Sequence, residues 1–154
     1  MADGLSGDFR KLALLKANLA NLARVPSQAA REASTEINQL IQQEFDDGRD
    51  PYGKAWAPLR PATLATGRTP PPLTKSGKMR SGTLAKPLQG IGIGLSLPFP
   101  GYFHQRGTRR MRARPVLPYG GMPRAWSNAI RNATARALAR QLQVQAPPLS
   151  QAAE

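Results

Sequence analysis

The densest concentration of chemistry-bearing side chains in this chain is Arg106, Arg109, Arg110, Arg112 and Arg114, five guanidinium groups within nine residues. A guanidinium is planar, permanently charged and presents a fork of N–H donors that matches phosphate or carboxylate oxygens two at a time. The run therefore suits anions, either the phosphates of a nucleic acid or the acidic side chains of another protein. The plain alternative is a solvated loop that charge keeps apart from its copies. Between Asp50 and Glu154 there are sixteen Lys or Arg and no acidic side chain, so nothing nearby in sequence neutralises the run. The first fifty residues carry six basic and eight acidic groups, and the whole chain has a formal net charge of +13. Such a body attracts polyanions and acidic partners.

Catalytic chemistry has little to work with. The single histidine is His104, and no carboxylate follows Asp50 to orient it or share a proton with it. Ser76 and Ser81 lie near Lys75, Lys78 and Arg80, but no Ser-x-x-Lys motif is present. There is no cysteine, which excludes disulfides and thiolate metal sites. We expect no enzyme, no cofactor and no metal, and read His104 as a structural hydrogen-bonder in a turn. There is also no helix-turn-helix pattern, zinc-finger ligand set or RNA-binding aromatic motif. The nine aromatic residues do not interleave with the Arg run. Any nucleic-acid contact would then be phosphate-directed and salt-sensitive. No stretch of 18 apolar residues exists and the N-terminus lacks the charge pattern of a signal peptide. A soluble protein, used without export and without a membrane partner, is the expectation.

These groups must be held by an α+β arrangement within a single domain over residues 1–145. Residues 8–47 predict helix, with Asp8 as N-cap and Leu12, Leu15, Leu19 and Leu22 forming one apolar stripe. Val25-Pro26-Ser27 interrupts it, and Ser27 can cap a second helix whose inner face carries Ala30, Ala33, Ile37, Leu40, Ile41 and Phe45. A helical hairpin and a kinked long helix both fit. Residues 51–122 form a loop-and-sheet region, since the stretch to Pro123 holds twelve of the fifteen prolines and eleven of the fourteen glycines. Arg68 to Pro72 should be an exposed, extended loop. Ile91, Ile93, Leu95 and Leu97 alternate with small residues and predict a small-sheet strand, whose glycine face invites close approach by another element. Pro98 to Gly101 then turns the chain. Residues 123–143 predict a last helix with Trp126, Ile130, Ala133, Ala137 and Leu138 inside and Arg136 and Arg140 near its C-terminus, where the dipole favours cations. A disordered tail, 146–154, follows.

Taken in order, several short pieces resemble the phage virion-morphogenesis family, which includes tail completion proteins of contractile-tailed phages and protein G of Mu-like phages. The pieces are Phe45, then Asp50, Pro51, Gly53, Trp56, Pro58 and Leu59, then Thr63, then Leu73, Ser76, Gly77 and Met79. Tyr102, His104, Gln105 and Gly107 follow, with Ala113, Arg114 and Pro115 completing the set. Tyr102 and His104 are one residue closer than the family pattern has them, and Val116 stands where the family has an aromatic.

The resemblance implies a non-enzymatic virion component at the head–tail junction, in the host cytoplasm before assembly. It implies a homo-oligomeric ring, commonly six-fold, contacting connector, neck or tail-tube proteins around a passage for genomic DNA. Trp56, Tyr102, Gln105, Gly107, Arg114 and Pro115 would be structural and interface residues. The Arg run would face DNA or an acidic neighbour, for which the acid-bearing N-terminal helices are a candidate surface. A basic, non-specific nucleic-acid-binding protein with no virion role is the alternative.

Overall fold

A computed structural model describes residues 9–89 and 92–145. The architecture is α+β: a long bent N-terminal helix, a two-stranded antiparallel sheet and a C-terminal helix. The bent helix comprises α1 (Phe9–Leu22) and α2 (Val25–Asp47). Backbone bonds carry through the bend, with Ala23 N donating to Leu19 O at 3.0 Å and Gln28 N to Arg24 O at 3.1 Å. Pro26 falls in the first turn of α2, where a missing N–H costs nothing. Ser27 is therefore not the N-cap; its hydroxyl donates to Arg24 O at 2.9 Å. α2 ends on Gly48, whose left-handed φ of 63° closes the last turn. The expected Asp8 cap and the 146–154 tail lie outside the described residues.

α2 packs along α6 (Arg124–Gln145), and α1 rests only lightly on α6 instead of folding back along α2. Of the two expected arrangements, the structure has the kinked long helix and not the hairpin. Ala29, Ala30 and Ala33 of α2 and Ala129, Ala133 and Ala137 of α6 are buried, and small side chains at the contact let two helices approach closely. Leu138, expected inside, is 40 % exposed, and Ile130 is half-buried. α6 runs on to Gln145, so Arg136 and Arg140 do not cap its end. They pair across the helix interface instead, Arg136 with Glu32 and Glu36, and Arg140 with Glu32. Ile37, Ile41, Phe45, Trp56, Val116 and Trp126 form the centre of the core. Each such large side chain contributes about 1.5–3 kcal/mol by leaving water.

The sheet consists of β1 (Leu84–Pro87) and β2 (Ile93–Ser96), with Leu84 opposite Ser96 and Pro87 opposite Ile93. Asn38 of α2 clamps β1 through both backbone groups of Ala85: its Nδ2 donates to Ala85 O at 2.9 Å, and Ala85 N donates to its Oδ1 at 2.7 Å. The close approach predicted for the glycine face comes from Leu88, since a Cβ on Gly94 would meet Leu88 Cδ2 at 3.0 Å. Ile93 and Leu97 pack on the core, Leu95 is exposed, and Ile91 lies outside the described residues.

The sequence expectation of a simple turn after Pro98 is corrected. Phe99–Arg106 is a helix, α5. Its prolines occupy the N-cap and the first turn, where helical N–H groups have no partner in any case. Gly101 lets α5 sit down, because a Cβ there would lie 2.5 Å from Leu97 Cγ. Two short helical turns, α3 (Pro61–Leu64) and α4 (Lys78–Gly82), punctuate the long loops. Among the described residues no helix is long and apolar enough to cross a membrane.

Candidate anion-binding cleft and its framework

Many of the residues that carry the motif pieces fall in two crossing segments, 50–58 and 104–119. Asp50 is buried, and its Oδ1 accepts from Tyr52 N at 3.0 Å and Lys54 N at 2.8 Å, which closes the turn over Pro51 and Gly53. Gly53 supplies the φ of 84° that this turn needs. Asp50 Oδ2 accepts from Tyr119 OH at 2.9 Å, and that bond, ahead of burial and charge, raises the Tyr119 hydroxyl above its ordinary pKa. Tyr52 OH donates to Gly121 O at 2.7 Å and its ring meets Tyr119 edge-on.

Trp56 fills the core against Phe45, with ring centroids 5.4 Å apart, and its Nε1 donates to Pro115 O at 2.7 Å. Gln105 uses both ends of its amide: Nε2 donates to Leu117 O at 2.6 Å, and Oε1 accepts from Val116 N and Leu117 N, each at 3.0 Å. Val116 is thereby drawn fully into the core. Arg114 is buried, with Nε donating to Ala57 O at 2.7 Å and Nη2 to Pro58 O at 2.9 Å. Its own N–H donates to His104 O at 2.7 Å.

The five-arginine run therefore does not act as one patch. Arg114 is a strut inside the framework. Arg106 lies over the Tyr102 ring, 5.2 Å from its centroid. Arg109, Arg110 and Arg112 are exposed on a loop pinched by the Thr108–Met111 bridge. Gly107 (φ 75°) starts that loop, and a Cβ there would come within 2.9 Å of Ala113 N. Tyr102, expected as a structural and interface residue, is exposed on α5 beside Phe103. His104 lies in a helix and not in a turn; its Nδ1 is buried with no partner among the described residues, so its hydrogen-bonding role passes to its backbone carbonyl.

Between the 58–78 loops, α5 and the 110–114 strap lies a cleft of about 830 Å³. Arg60, Arg68, Lys75, Lys78, Arg110 and Arg112 line it together with Arg114, and no carboxylate does. The side chains of those first six make no hydrogen bond or ion pair among the described residues. Ser76, Pro58, Leu59 and His104 complete parts of the wall. Gly77, at φ 67°, is the N-cap of α4, whose Lys78 and Met79 both line the cleft while Met79 also packs into the core. Crowding of cations is felt in the framework: burial first, then the charge of Arg60, lowers the Arg114 pKa, and burial followed by Arg114 lowers that of His104. Both effects favour the uncharged form of the His104 imidazole. This gathering of cations from positions fifty residues apart was invisible in the sequence.

The acids are spent elsewhere. Glu32 and Glu36 pair with α6, Asp46 with Arg80 at 2.7 Å, and Asp50 serves the turn. Glu44 is buried beside Trp126, whose Nε1 donates to its Oε1 at 3.2 Å while Oε2 has no partner among the described residues. Burial pushes this carboxyl up to about 7, against the pull of the Trp126 bond. Asp46 and Asp47, at the end of α2, remain exposed. Among the described residues no group of three or more His, Cys, Asp or Glu side chains is placed to hold a metal ion. No protein-family model, curated protein or solved structure matches this chain.

Proposed function

We propose that this chain is a structural subunit of a phage head–tail junction, a neck or tail-completion protein that acts by assembling and not by catalysis. One observation carries the reading. Five of the residues on which the family resemblance rests, Asp50, Trp56, Gln105, Arg114 and Pro115, tie the segments 50–58 and 105–119 together through hydrogen bonds, although Trp56 and Gln105 stand 49 positions apart. Residues with a shared structural task in this way support a common fold plan better than their order in the sequence does.

The surface supports the same reading. α1 has no buried residue, yet Leu12, Leu15, Leu19 and Leu22 line one side of it. A 14-residue helix is marginal in water by itself, so an apolar stripe left outside the fold favours a neighbour that covers it. Ring subunits meet through two different faces that close by rotation, which fits an arm extended from a compact body. The test is the mass and shape of the purified full chain, alone and with phage connector or tail-tube proteins. Closed rings, or incorporation into virion necks, support the proposal; a strict monomer that enters no particle refutes it.

A second reading, a basic nucleic-acid-binding protein without a virion role, is favoured by the acid-free cleft. Tight duplex binding that falls steeply with salt, by a protein that never assembles, would prefer it.

A further inference from the structure

The cleft and the outer face of α5 belong together. Pro100 and His104, four residues apart, line the cleft. Phe99 and Phe103, one residue back on the same helix, stand on the adjoining face, with ring centroids 5.6 Å apart and an edge-on angle of 90°. Tyr102 meets Phe103 at 6.0 Å and carries the Arg106 guanidinium. Phe99 is 81 % exposed, an unusual position for a phenylalanine that packs on nothing else. A cationic channel bordered by open aromatic rings is the arrangement with which proteins hold single-stranded nucleic acid, phosphates in the channel and bases on the rings.

We propose that this cleft binds a single strand of nucleic acid, with Arg60, Lys75, Arg110 and Arg112 on its phosphates and Phe99 and Phe103 stacked on its bases. A space of 830 Å³ takes a few nucleotides of one strand. A duplex keeps its bases paired and stacked inside, so it could meet the cations but could not lay bases on Phe99 and Phe103. An acidic peptide would satisfy the cations but leave the aromatic face unused. A second copy of this chain is a poor source of such a peptide, because five of its carboxylates are already engaged in its own fold. The inference is independent of ring assembly, and it narrows the second reading to one strand.

The test is fluorescence anisotropy of the full chain with a labelled 12-nucleotide oligothymidylate and with a 12-base-pair duplex, across a salt series. The single strand is expected to bind at least tenfold more tightly. Lys75→Gln/Arg110→Gln/Arg112→Gln, all exposed positions, should weaken it at least tenfold and reduce the slope of log affinity against log salt by about two, at roughly 0.7 per lost phosphate contact. Phe99→Ala/Phe103→Ala should weaken the single strand at least fivefold, the lower end of base–aromatic stacking, and leave duplex binding unchanged. Arg131→Gln, exposed on α6, is the charge control and should change neither by more than twofold. Equal or tighter duplex binding overturns the inference while leaving the second reading in place. Indifference to the triple variant, or displacement of the strand by polyglutamate at equal charge concentration, overturns it too, the latter assigning the cleft to acidic peptides.

Discussion

Arg114 donates from Nε to the carbonyl oxygen of Ala57 at 2.7 Å, fastening the strap after α5 to the turn that carries Trp56. Because a second nitrogen of the same guanidinium holds Pro58 O, the fork geometry matters as well as the charge. Arg114→Lys is expected to destabilise the fold by about 1–3 kcal/mol, the range for losing a charged hydrogen bond to a buried group. Arg109→Lys, on the exposed loop, should stay within about 0.5 kcal/mol of the parent. Urea denaturation of both variants checks the contrast; equal effects would mean that Arg114 is no strut.

Gly107 is expected to resist substitution. Its φ of 75° with ψ of 177° is a region that only glycine enters readily, and a Cβ would press on the backbone of Met111 and Ala113. Gly107→Ala should cost at least about 1–3 kcal/mol and alter amide exchange from Thr108 to Ala113. Unchanged stability together with unchanged exchange would contradict the loop geometry.

How far the sequence foretold this depends on where the signal was local. The inner face of α2 was legible because Ala33, Ile37, Ile41 and Phe45 repeat at helical spacing, and the structure buries all four. α5 was not, since two prolines and a glycine around Phe99 read as a turn until their positions in the first helical turn are known. By residue type Arg114 was indistinguishable from Arg112, and only the family resemblance set it apart as structural; its partners, the carbonyls of Ala57 and Pro58, were not legible. The leucine stripe of α1 was read correctly as periodic, but periodicity does not say whether its partner lies in the same molecule.

Glu44 makes stability depend on pH. Its folded pKa of about 7 lies above the ordinary 4.5 because burial penalises the charged form. Between those values the folded state holds a proton that the unfolded state has lost, so its stabilising contribution is complete below 4.5 and gone above about 7. Stability from this group should therefore fall as pH rises from 4.5 through 7. Glu44→Gln keeps an acceptor for Trp126 and carries no charge to desolvate, so its stability relative to the parent should rise between pH 5 and pH 8. It should also flatten that part of the pH profile; a variant with the parent's profile would exclude Glu44 as the cause.

The α2–α6 ion pairs are expected to contribute little. Glu32, Arg136 and Arg140 remain substantially exposed, so Glu32→Gln should cost about 0.2–1 kcal/mol at low salt. The loss should shrink further in 1 M salt, where the screening length is about 3 Å. Thermal melts at the two salt concentrations measure it, and a large loss that salt does not reduce would point to packing instead of charge.

Assembly is the central claim, and α1 is where it is most exposed to test. Sedimentation and negative-stain imaging of the full chain with its neighbouring neck components, beside Leu15→Gln/Leu19→Gln, test it most directly. The account predicts closed rings for the parent and their loss in the variant, whose folded body keeps its stability because neither leucine is buried. A parent that sediments as a single 16.6 kDa chain at every concentration, alone and with those components, would contradict it.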